Sequence, residues 1–315
     1  MSRPKIGFVF TNYNNSALSL QALHSIFNNC ANFECYVVIV DNNSTEEEKL
    51  ILKDAPSISS NISVIFNEDN IGYFPGLNVC INALRFDHNA ALSCIVIGNN
   101  DLVFPGDFFQ HLHAELFSIS KYSVISPDLV TLDGIHQNPH VITNISRFRE
   151  IVWDIYFINY IFSKIILKSA RLLASISARK DHLHHRQPGF IHQGYGACYI
   201  LTHSFFEHFD SLWCPGFLMG EEFYLAKQLD VIGQKTYYNP RLLVLHHDHA
   251  TVSKISNKLL WDYSKEAHKI YRRYVNPYYL NMNINSTMVE LDSCIDQITH
   301  SRPSSNTMPS TFNIR

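Results

Sequence analysis

Short apolar runs alternate with amphipathic stretches along the first part of the chain. The stretches between the runs carry apolar residues at helical spacing, as at Leu20, Leu23 and Phe27. The runs themselves are bounded by polar residues, which predicts buried strands: Ile6–Thr11, Tyr36–Val40, Ile62–Phe66, Cys94–Ile97 and Val124–Ser126. This alternation predicts an α/β fold with a doubly wound, mostly parallel sheet and helices on both faces.

A short polar cluster follows each of the first four predicted strands. In parallel sheets ligands bind outside the carboxyl ends of the strands, so these clusters are candidate binding residues. A carboxylate such as Asp41 can accept from a pyrimidine N3–H or a ribose hydroxyl, and Asp101 can hold Mg²⁺ together with phosphate oxygens. Taken singly, each cluster is equally typical of a plain turn. The clusters are Thr11-Asn12-Tyr13, Asp41-Asn42-Asn43, Asn67 to Gly72 and Asn99-Asn100-Asp101.

Residues 151–167 are apolar on nearly every side, and six basic residues against one acid lie between Lys164 and Arg186. Two interpretations remain open for this segment. It is either a buried helix followed by a solvated basic loop, or an interfacial helix whose basic flank rests on an anionic membrane. Further on, the pattern predicts a helix over 223–232, a strand over 242–245, a helix over 256–275 and a loose tail.

The composition of the chain excludes several classes of protein. Of 315 residues, 46% are hydrophobic and 17% charged, which excludes a disordered chain. The formal charge of −3 argues against a dedicated nucleic-acid binder. Seven cysteines without a C-x-x-C spacing predict reduced thiols, and no apolar run is long enough to span a bilayer. We expect a cytoplasmic protein that can touch the inner face of a membrane.

Five segments, taken in order, resemble family 2 of the nucleotide-sugar glycosyltransferases, whose catalytic domain has the GT-A fold. The resemblance covers residues 6–250 and is greatest to the rhamnosyltransferase-like branch that builds bacterial surface polysaccharides. The segments are VVIVDNNST (37–45), NIGYFPGLN (70–78), IGNND (97–101), GYGACYILTHSFFEHFD (194–210) and GFLMGEEFYLAKQL (216–229).

The resemblance implies a donor site and a divalent metal, Mn²⁺ or Mg²⁺. Asp41 matches the acid that recognises the base. Asp101 matches the metal-facing acid of the D-x-D motif, in which Asn99 stands for the first acid. His246 or His247 matches a histidine that completes the metal site in some relatives, and His246 is the predicted ligand. The other implied donor contacts are Thr11, Asn12, Tyr13, Asn70, Gly72, Asn78 and Asn100.

The resemblance also implies a catalytic base. Glu221-Glu222 matches a Glu-Asp pair whose second acid is the base, so Glu222 takes that role with one more methylene. Gly196, Ala197 and Glu221 are implied to lie beside the acceptor. An acceptor hydroxyl is a weak nucleophile that needs such a base. A buried carboxylate beside another acid has a raised pKa, which suits the task.

These implications add up to an inverting glycosyltransferase. It would move a sugar from a UDP-sugar or a dTDP-sugar to a glycan or lipid-linked glycan in O-antigen or capsule assembly. We expect residues 1–126 to bind the donor. Residues 127–275 would supply the acceptor site and the base, with a membrane-interfacial segment at 151–186, and 276–315 would form the tail.

Other functions are weaker interpretations of the same sequence. A sugar nucleotidyltransferase would carry a glycine-rich, basic loop after the first strand, whereas this chain has TNYNNSALS there. A non-catalytic nucleotide-sugar-binding or scaffold protein is favoured only by two departures from the family's motifs. Asn99 stands in place of an acid, and Glu222 stands in place of an aspartate. The histidines at 182, 184, 185 and 192 and those at 246, 247 and 249 do not have the spacing of a structural zinc site.

Overall fold

One nine-stranded sheet organises the computed structural model, which describes residues 3–88, 92–143, 145–172, 184–247 and 256–276. The order of its strands is β3-β2-β1-β4-β8-β6-β9-β5, with β7 paired to β9. The strands are β1 Lys5–Asn12, β2 Glu34–Asp41, β3 Ile62–Phe66, β4 Leu92–Asn99, β5 Leu102–Val103, β6 Val124–Thr131, β7 Gly189–Ile191, β8 Cys198–Thr202 and β9 Thr236–His246.

Helices lie on both faces of this sheet, as predicted. In chain order they are α1 Ser16–Asn29, α2 Glu46–Lys53, α3 Tyr73–His88, α4 Gly106–Ile119, α5 Arg147–Ile158, α6 Tyr160–Leu172, α7 His203–Phe206, α8 Glu221–Val231 and α9 Asn257–Ile270. A 3₁₀ turn covers Ala55–Ser57 and a π-helical turn covers Tyr271–Val275.

The two faces of β1 pack into two different cores, because side chains alternate along a strand. Phe8 and Phe10 lie in the core that contains α1 and α4 residues, including Phe108. Val9 lies in the other core, with Leu77 and Leu84 of α3. All six residues are fully buried. The apolar run of β1 therefore reflects burial on both sides, as in parallel sheets covered by helices.

Strands β3, β2, β1 and β4 pair in parallel, so their carboxyl ends meet at one edge. The next strand, β8, is antiparallel to both β4 and β6. Because β8 comes late in the sequence, the sheet contains strands from both sides of residue 126. The fold is thus mixed α/β with a mostly parallel sheet, and the predicted fold class is confirmed.

The segment predicted as one apolar helix is instead two helices, α5 and α6, separated at Asn159, where φ is −150°. The buried-helix interpretation is wrong, because Ile155, Ile158, Ile161 and Ile165 are all exposed. Within the described ranges no helix is both long and apolar enough to cross a membrane. Most of the predicted basic loop (173–183) and nearly all of the predicted tail (277–315) lie outside the described residues.

Candidate active site

The backbone at Gly196–Ala197, immediately before β8, links three segments that the sequence predicted to be functional. The Gly196 N–H donates to Oε1 of Glu222 over 3.2 Å. The Gly196 carbonyl accepts from the Tyr73 hydroxyl over 3.0 Å. The Ala197 carbonyl accepts from the Asn99 N–H over 2.9 Å. The start of α3, the end of β4 and the start of α8 therefore converge on two adjacent residues.

The acidic pair opens helix α8. Two left-handed residues, Met219 (φ 72°) and Gly220 (φ 86°), turn the chain into the helix, whose first residues are Glu221 and Glu222. Burial and then the charge of Glu222 raise the pKa of Glu221 to about 8. Burial also raises the pKa of Glu222, while the Gly196 N–H favours its charged form. The geometry thus fits a pair in which Glu221 keeps its proton and Glu222 is the carboxylate.

The loop after β3 contacts the loop before α8. Gly72 has a φ of 97°, and a Cβ atom on it would lie 2.1 Å from the Phe217 carbonyl oxygen, so only glycine fits. The Tyr73 N–H donates to that carbonyl over 3.3 Å. Oδ1 of Asn70 accepts from the Gly72 N–H over 3.0 Å. Asn70 and Gly72 therefore shape a loop that lies against the segment leading to the acidic pair Glu221-Glu222.

Asp101 and His246 form the candidate metal centre. Oδ1 of Asp101 is buried without a hydrogen-bond donor and lies 3.3 Å from Nε2 of His246. Nδ1 of His246 lies 2.7 Å from Oε1 of Gln137. If Nδ1 donates to Gln137, the Nε2 lone pair faces the carboxylate, an arrangement that suits a cation. His247 contacts Asp101 through its backbone N–H, so His246 is the histidine whose ring faces Asp101.

These two side chains fit a hard divalent ion, which often takes few protein ligands and fills its other positions with water and phosphate oxygens. Across the described ranges, no group of three or more His, Cys, Asp or Glu side chains could hold a metal by itself. The buried, undonated Oδ1 of Asp101 is the observation that favours a cation here. Diphosphate oxygens would have to complete the coordination.

Asn12 and Asn100 do not line a pocket, contrary to the prediction. Asn12 is fully buried, and its Nδ2 donates to Asp41 (2.7 Å), Ser16 and Ser44. Asn100 is 4% exposed, and its amide donates to Asn12, to Ser19 and to the Asn15 carbonyl. The physical reason is that buried amides must be hydrogen-bonded, and these two satisfy each other in a network beneath the strand ends.

Asp41 belongs to the same network. Its carboxylate accepts from the Asn12 amide and from both the hydroxyl and the N–H of Ser44. The residue is fully buried. Recognition of a base by Asp41 would require one Ser44 bond to be exchanged for the base, and this role stays a prediction.

Asn78 and Ala197 also differ from their predicted roles. The Asn78 amide donates to the Leu212 carbonyl and accepts from the Leu212 N–H, each over 2.8 Å, so it ties α3 to the segment before α8. The Ala197 side chain lies in the hydrophobic core and is 3% exposed, so it cannot line an acceptor site.

At the end of β1, Tyr13 is 41% exposed and can contact a ligand. Thr11 is partly buried, and a Cβ on Gly76 would meet its methyl group at 2.7 Å. The donor roles of these two residues stay predictions.

Sequence reasoning missed Gln137, which lies in a loop with no periodic pattern. Tyr73 could have been found, since it follows Gly72 within a motif that the sequence analysis had identified.

The sequence profile of glycosyl transferase family 2 matches residues 8–166, half of the chain. The chain belongs to glycosyl transferase family 2. Family membership makes it a glycosyltransferase, and its sheet is that of the GT-A fold. Within this family 2 chain, the matched segment contains most of β1, all of β2 to β6, and both Asp41 and Asp101. No curated protein sequence matches this family 2 chain.

Solved structures share this family 2 chain's fold at low identity. GalNAc-T7 with UDP, GalNAc and Mn²⁺ is 12% identical, with a TM-score of 0.51 over 78% of this chain and 44% of that one. This chain thus spans less than half of that neighbour. The mannosyltransferase PcManGT from Pyrobaculum calidifontis, in complex with GDP-Man and Mn²⁺, is 10% identical, with a TM-score of 0.49 over 98% and 78%. S. aureus TarS is 11% identical, with a TM-score of 0.47 over 94% and 81%.

Proposed function

We propose that this protein is an inverting glycosyltransferase that moves a sugar from a UDP- or dTDP-sugar to a hydroxyl of a glycan or lipid-linked glycan. The observation that carries the proposal is the convergence on Gly196–Ala197. The base candidate Glu222, the strand that leads to the proposed metal-binding turn and the helix after the glycine loop all form hydrogen bonds with that backbone. Each has a separate task in moving a sugar, and a binding protein would need no buried carboxylate pair.

Glu222 acts as the general base. Its carboxylate accepts the proton of the acceptor hydroxyl while that oxygen attacks the anomeric carbon, and the nucleoside diphosphate departs from the opposite face. One displacement inverts the configuration at that carbon. The Gly196 N–H holds the Glu222 carboxylate in one direction, and Glu221 stays neutral beside it, so the pair does not carry two charges in a buried site.

Asp101 and His246 would hold Mn²⁺ or Mg²⁺. A bound divalent ion neutralises the charge that develops on the departing diphosphate. Because Asn99 stands where the family has an acid, the described part of the chain offers two side chains at this position, Asp101 and His246, and Gln137 orients the His246 ring. The Mn²⁺ and UDP in the GalNAc-T7 structure support this assignment.

Donor recognition falls to the strand ends and the glycine loop. We propose that Thr11 and Tyr13 line the nucleotide, that Asp41 accepts from the base, and that Asn70 and Gly72 shape the loop over the ribose and diphosphate. The Tyr13 side chain is exposed to solvent and can contact a nucleotide. Asp41 can accept from a pyrimidine only if one of its two hydrogen bonds from Ser44 is broken. In this proposal residues 1–126 supply the donor side and residues 127–275 the acceptor side.

The biological setting that we propose is bacterial surface polysaccharide assembly, with the enzyme on the cytoplasmic side and in peripheral contact with the inner membrane. Two observations support it. The motifs of the chain resemble the rhamnosyltransferase-like branch that builds such polymers. Helices α5 and α6 also expose apolar side chains, of which Ile158 is an example.

The test compares wild type with Glu222→Gln and with the exposed control Glu207→Gln. We expect Glu222→Gln to lower sugar transfer by about 100-fold or more. UDP and Mn²⁺ should still raise its melting temperature as they do in wild type. Product NMR should show inverted anomeric configuration. Normal transfer by Glu222→Gln, or a product of retained configuration, would contradict the proposal. Absence of transfer by wild type despite nucleotide binding would favour a scaffold.

A further inference from the structure

Helices α5 and α6 present an apolar stripe to the outside. On α5 the exposed residues recur every three or four positions, which places them on one face. In water that face would ordinarily be polar, and single exposed apolar residues would need no explanation. Here the residues are contiguous, and between 42% and 78% of each is exposed. The stripe consists of Phe148, Ile151, Ile155, Ile158, Ile161, Phe162 and Ile165.

The acids of these helices are paired with residues of α9 and of the π-helical turn. Glu150 is 3% exposed and accepts from the Tyr271 hydroxyl over 2.7 Å. Asp154 accepts from the Arg272 guanidinium, over 2.8 and 2.9 Å, and is bonded to His268. Residues 147–172 contain no other acid. The outward face of α5 and α6 therefore carries no unpaired negative charge, although a solvated helix surface ordinarily would.

Lysines and large aromatic rings border the stripe. Lys164 lies 4.6 Å from the Tyr160 ring, and Lys258, which also pairs with Asp262, lies 4.8 Å from the Trp261 ring. Lys265 lies 4.9 Å from the Trp261 ring and donates to the Ile158 carbonyl. Tyrosine and tryptophan with lysine are the residues enriched where proteins meet the headgroup region of a bilayer. We call these residues the lysine rim.

An apolar cavity of about 440 Å³ lies behind the stripe. Its walls include Trp153 and Phe157 of α5 and Leu167 of α6. Its other side reaches Met219 and Gly220, the two residues that lead into the catalytic pair. An apolar space thus lies between the outward helices and the base.

We propose that the apolar stripe and the lysine rim dock this protein on an anionic bilayer surface. The inference rests on the proposed function in one respect, since docking would hold the base next to lipid-linked acceptors. A second copy of the chain is a poorer occupant, because a twofold contact would bring identical lysine rims together. A bilayer with anionic headgroups complements the rim and takes up the isoleucines.

Vesicle flotation of the full chain tests the proposal. We expect wild type to float with vesicles that contain phosphatidylglycerol and to bind phosphatidylcholine vesicles more weakly. The variant Ile155→Glu/Ile158→Glu/Phe162→Glu should bind at least about tenfold more weakly, because three apolar anchors are replaced by charges. The matched control is Phe86→Glu/Phe117→Glu. These phenylalanines are 73% and 95% exposed on α3 and α4, and their replacement should leave flotation unchanged.

The lysine contribution is tested separately. Lys164→Gln and Lys258→Gln should each weaken binding to phosphatidylglycerol vesicles by about fivefold at low salt. Both effects should fade in high salt, because screening removes the attraction. Binding that is insensitive to lysine, lipid charge and salt would overturn the anionic part of the proposal.

Three results would overturn docking itself. They are failure of wild type to float with any vesicle, unchanged flotation of the triple glutamate variant, and a wild-type dimer in solution that this variant converts to monomer. Sugar transfer and UDP binding, measured without vesicles, keep the two proposals separable. Flotation without transfer by wild type would remove the proposed function alone. Transfer without flotation would remove membrane docking alone.

Discussion

The Gly196 N–H donates to Oε1 of Glu222 over 3.2 Å, so the direction of the proposed base is set by a residue with no side chain. A Cβ atom at position 196 would lie 2.8 Å from that oxygen. We therefore expect Gly196→Ala to displace the carboxylate and to lower kcat by about 100-fold, the usual cost of misplacing a reacting group by about 1 Å. The KM for the donor should change little.

Gly189→Ala is the control for that substitution. A Cβ at position 189 meets nothing within 4 Å, and its backbone is not left-handed, so activity should be unchanged. Steady-state transfer assays on both variants, with circular dichroism to verify folding, check the prediction. Equal activity in Gly196→Ala and wild type would show that the Gly196 bond does not position the base.

The raised pKa of Glu221, about 8, links stability to pH. The unfolded chain releases this proton near pH 4.3, so the folded state holds one more proton between about pH 4.3 and 8. The stability that this proton contributes is complete below about pH 4.3 and is lost as the pH rises through this window to about 8. Glu221→Gln, which imitates the protonated acid, should therefore melt at least about 2 °C above wild type at pH 9. The difference should shrink towards pH 5.

The same substitution should retain most sugar transfer at pH 7, because Glu221 is protonated there in wild type. Melting curves from pH 5 to 9 and a transfer assay at pH 7 provide the measurements, with Glu207→Gln as the exposed control. A melting difference that is independent of pH would contradict the assignment of the retained proton to Glu221.

Gln137 should control metal affinity through His246. Nδ1 of His246 and Oε1 of Gln137 are 2.7 Å apart in a buried site, and loss of such an orienting partner usually weakens metal binding by about 10- to 100-fold. We expect that loss in Gln137→Leu when Mn²⁺ is titrated calorimetrically in the presence of UDP. The exposed Gln187→Leu should titrate like wild type. Unchanged affinity in Gln137→Leu would remove His246 from the metal site.

Asn78→Ala should reduce stability rather than donor binding. The substitution removes two hydrogen bonds to Leu212, which should cost about 1–3 kcal/mol in the free energy of unfolding by urea. The KM for the donor should stay within about twofold of wild type. A raised KM with unchanged stability would restore the donor role that the sequence predicted for Asn78.

The first half of the fold could be predicted because each element is determined locally. A strand buried on both faces, such as β1, must be an apolar run, and its flanking helices must show helical spacing. The position of β8 could not be predicted, because β8 pairs with strands far away in the sequence. The pattern also left α5 and α6 undecided, since apolar residues such as Ile155 can face a core or a membrane.

The sequence predicted which segments form the candidate site, but not which of their side chains face a ligand. Polar residues after buried strands do gather at one edge, as Asp41 and Asp101 do. Whether an individual amide faces a ligand or a neighbour depends on contacts between distant segments. Asn12 and Asn100 bond to each other across such a distance, and no local pattern distinguishes them from Tyr13, which is exposed.

Strand β8 lies far along the sequence from its neighbour β4, which limits where the chain can be cut. A fragment ending at residue 126 would contain β1 to β4, yet β4 would have an open edge, since its neighbour begins only at Cys198. An unpaired strand at the edge of a sheet can pair with a strand of another chain. During synthesis that edge stays uncovered until the strand after Gly196–Ala197 emerges. The strand that covers this edge and the Gly196 backbone that binds Glu222 therefore emerge together.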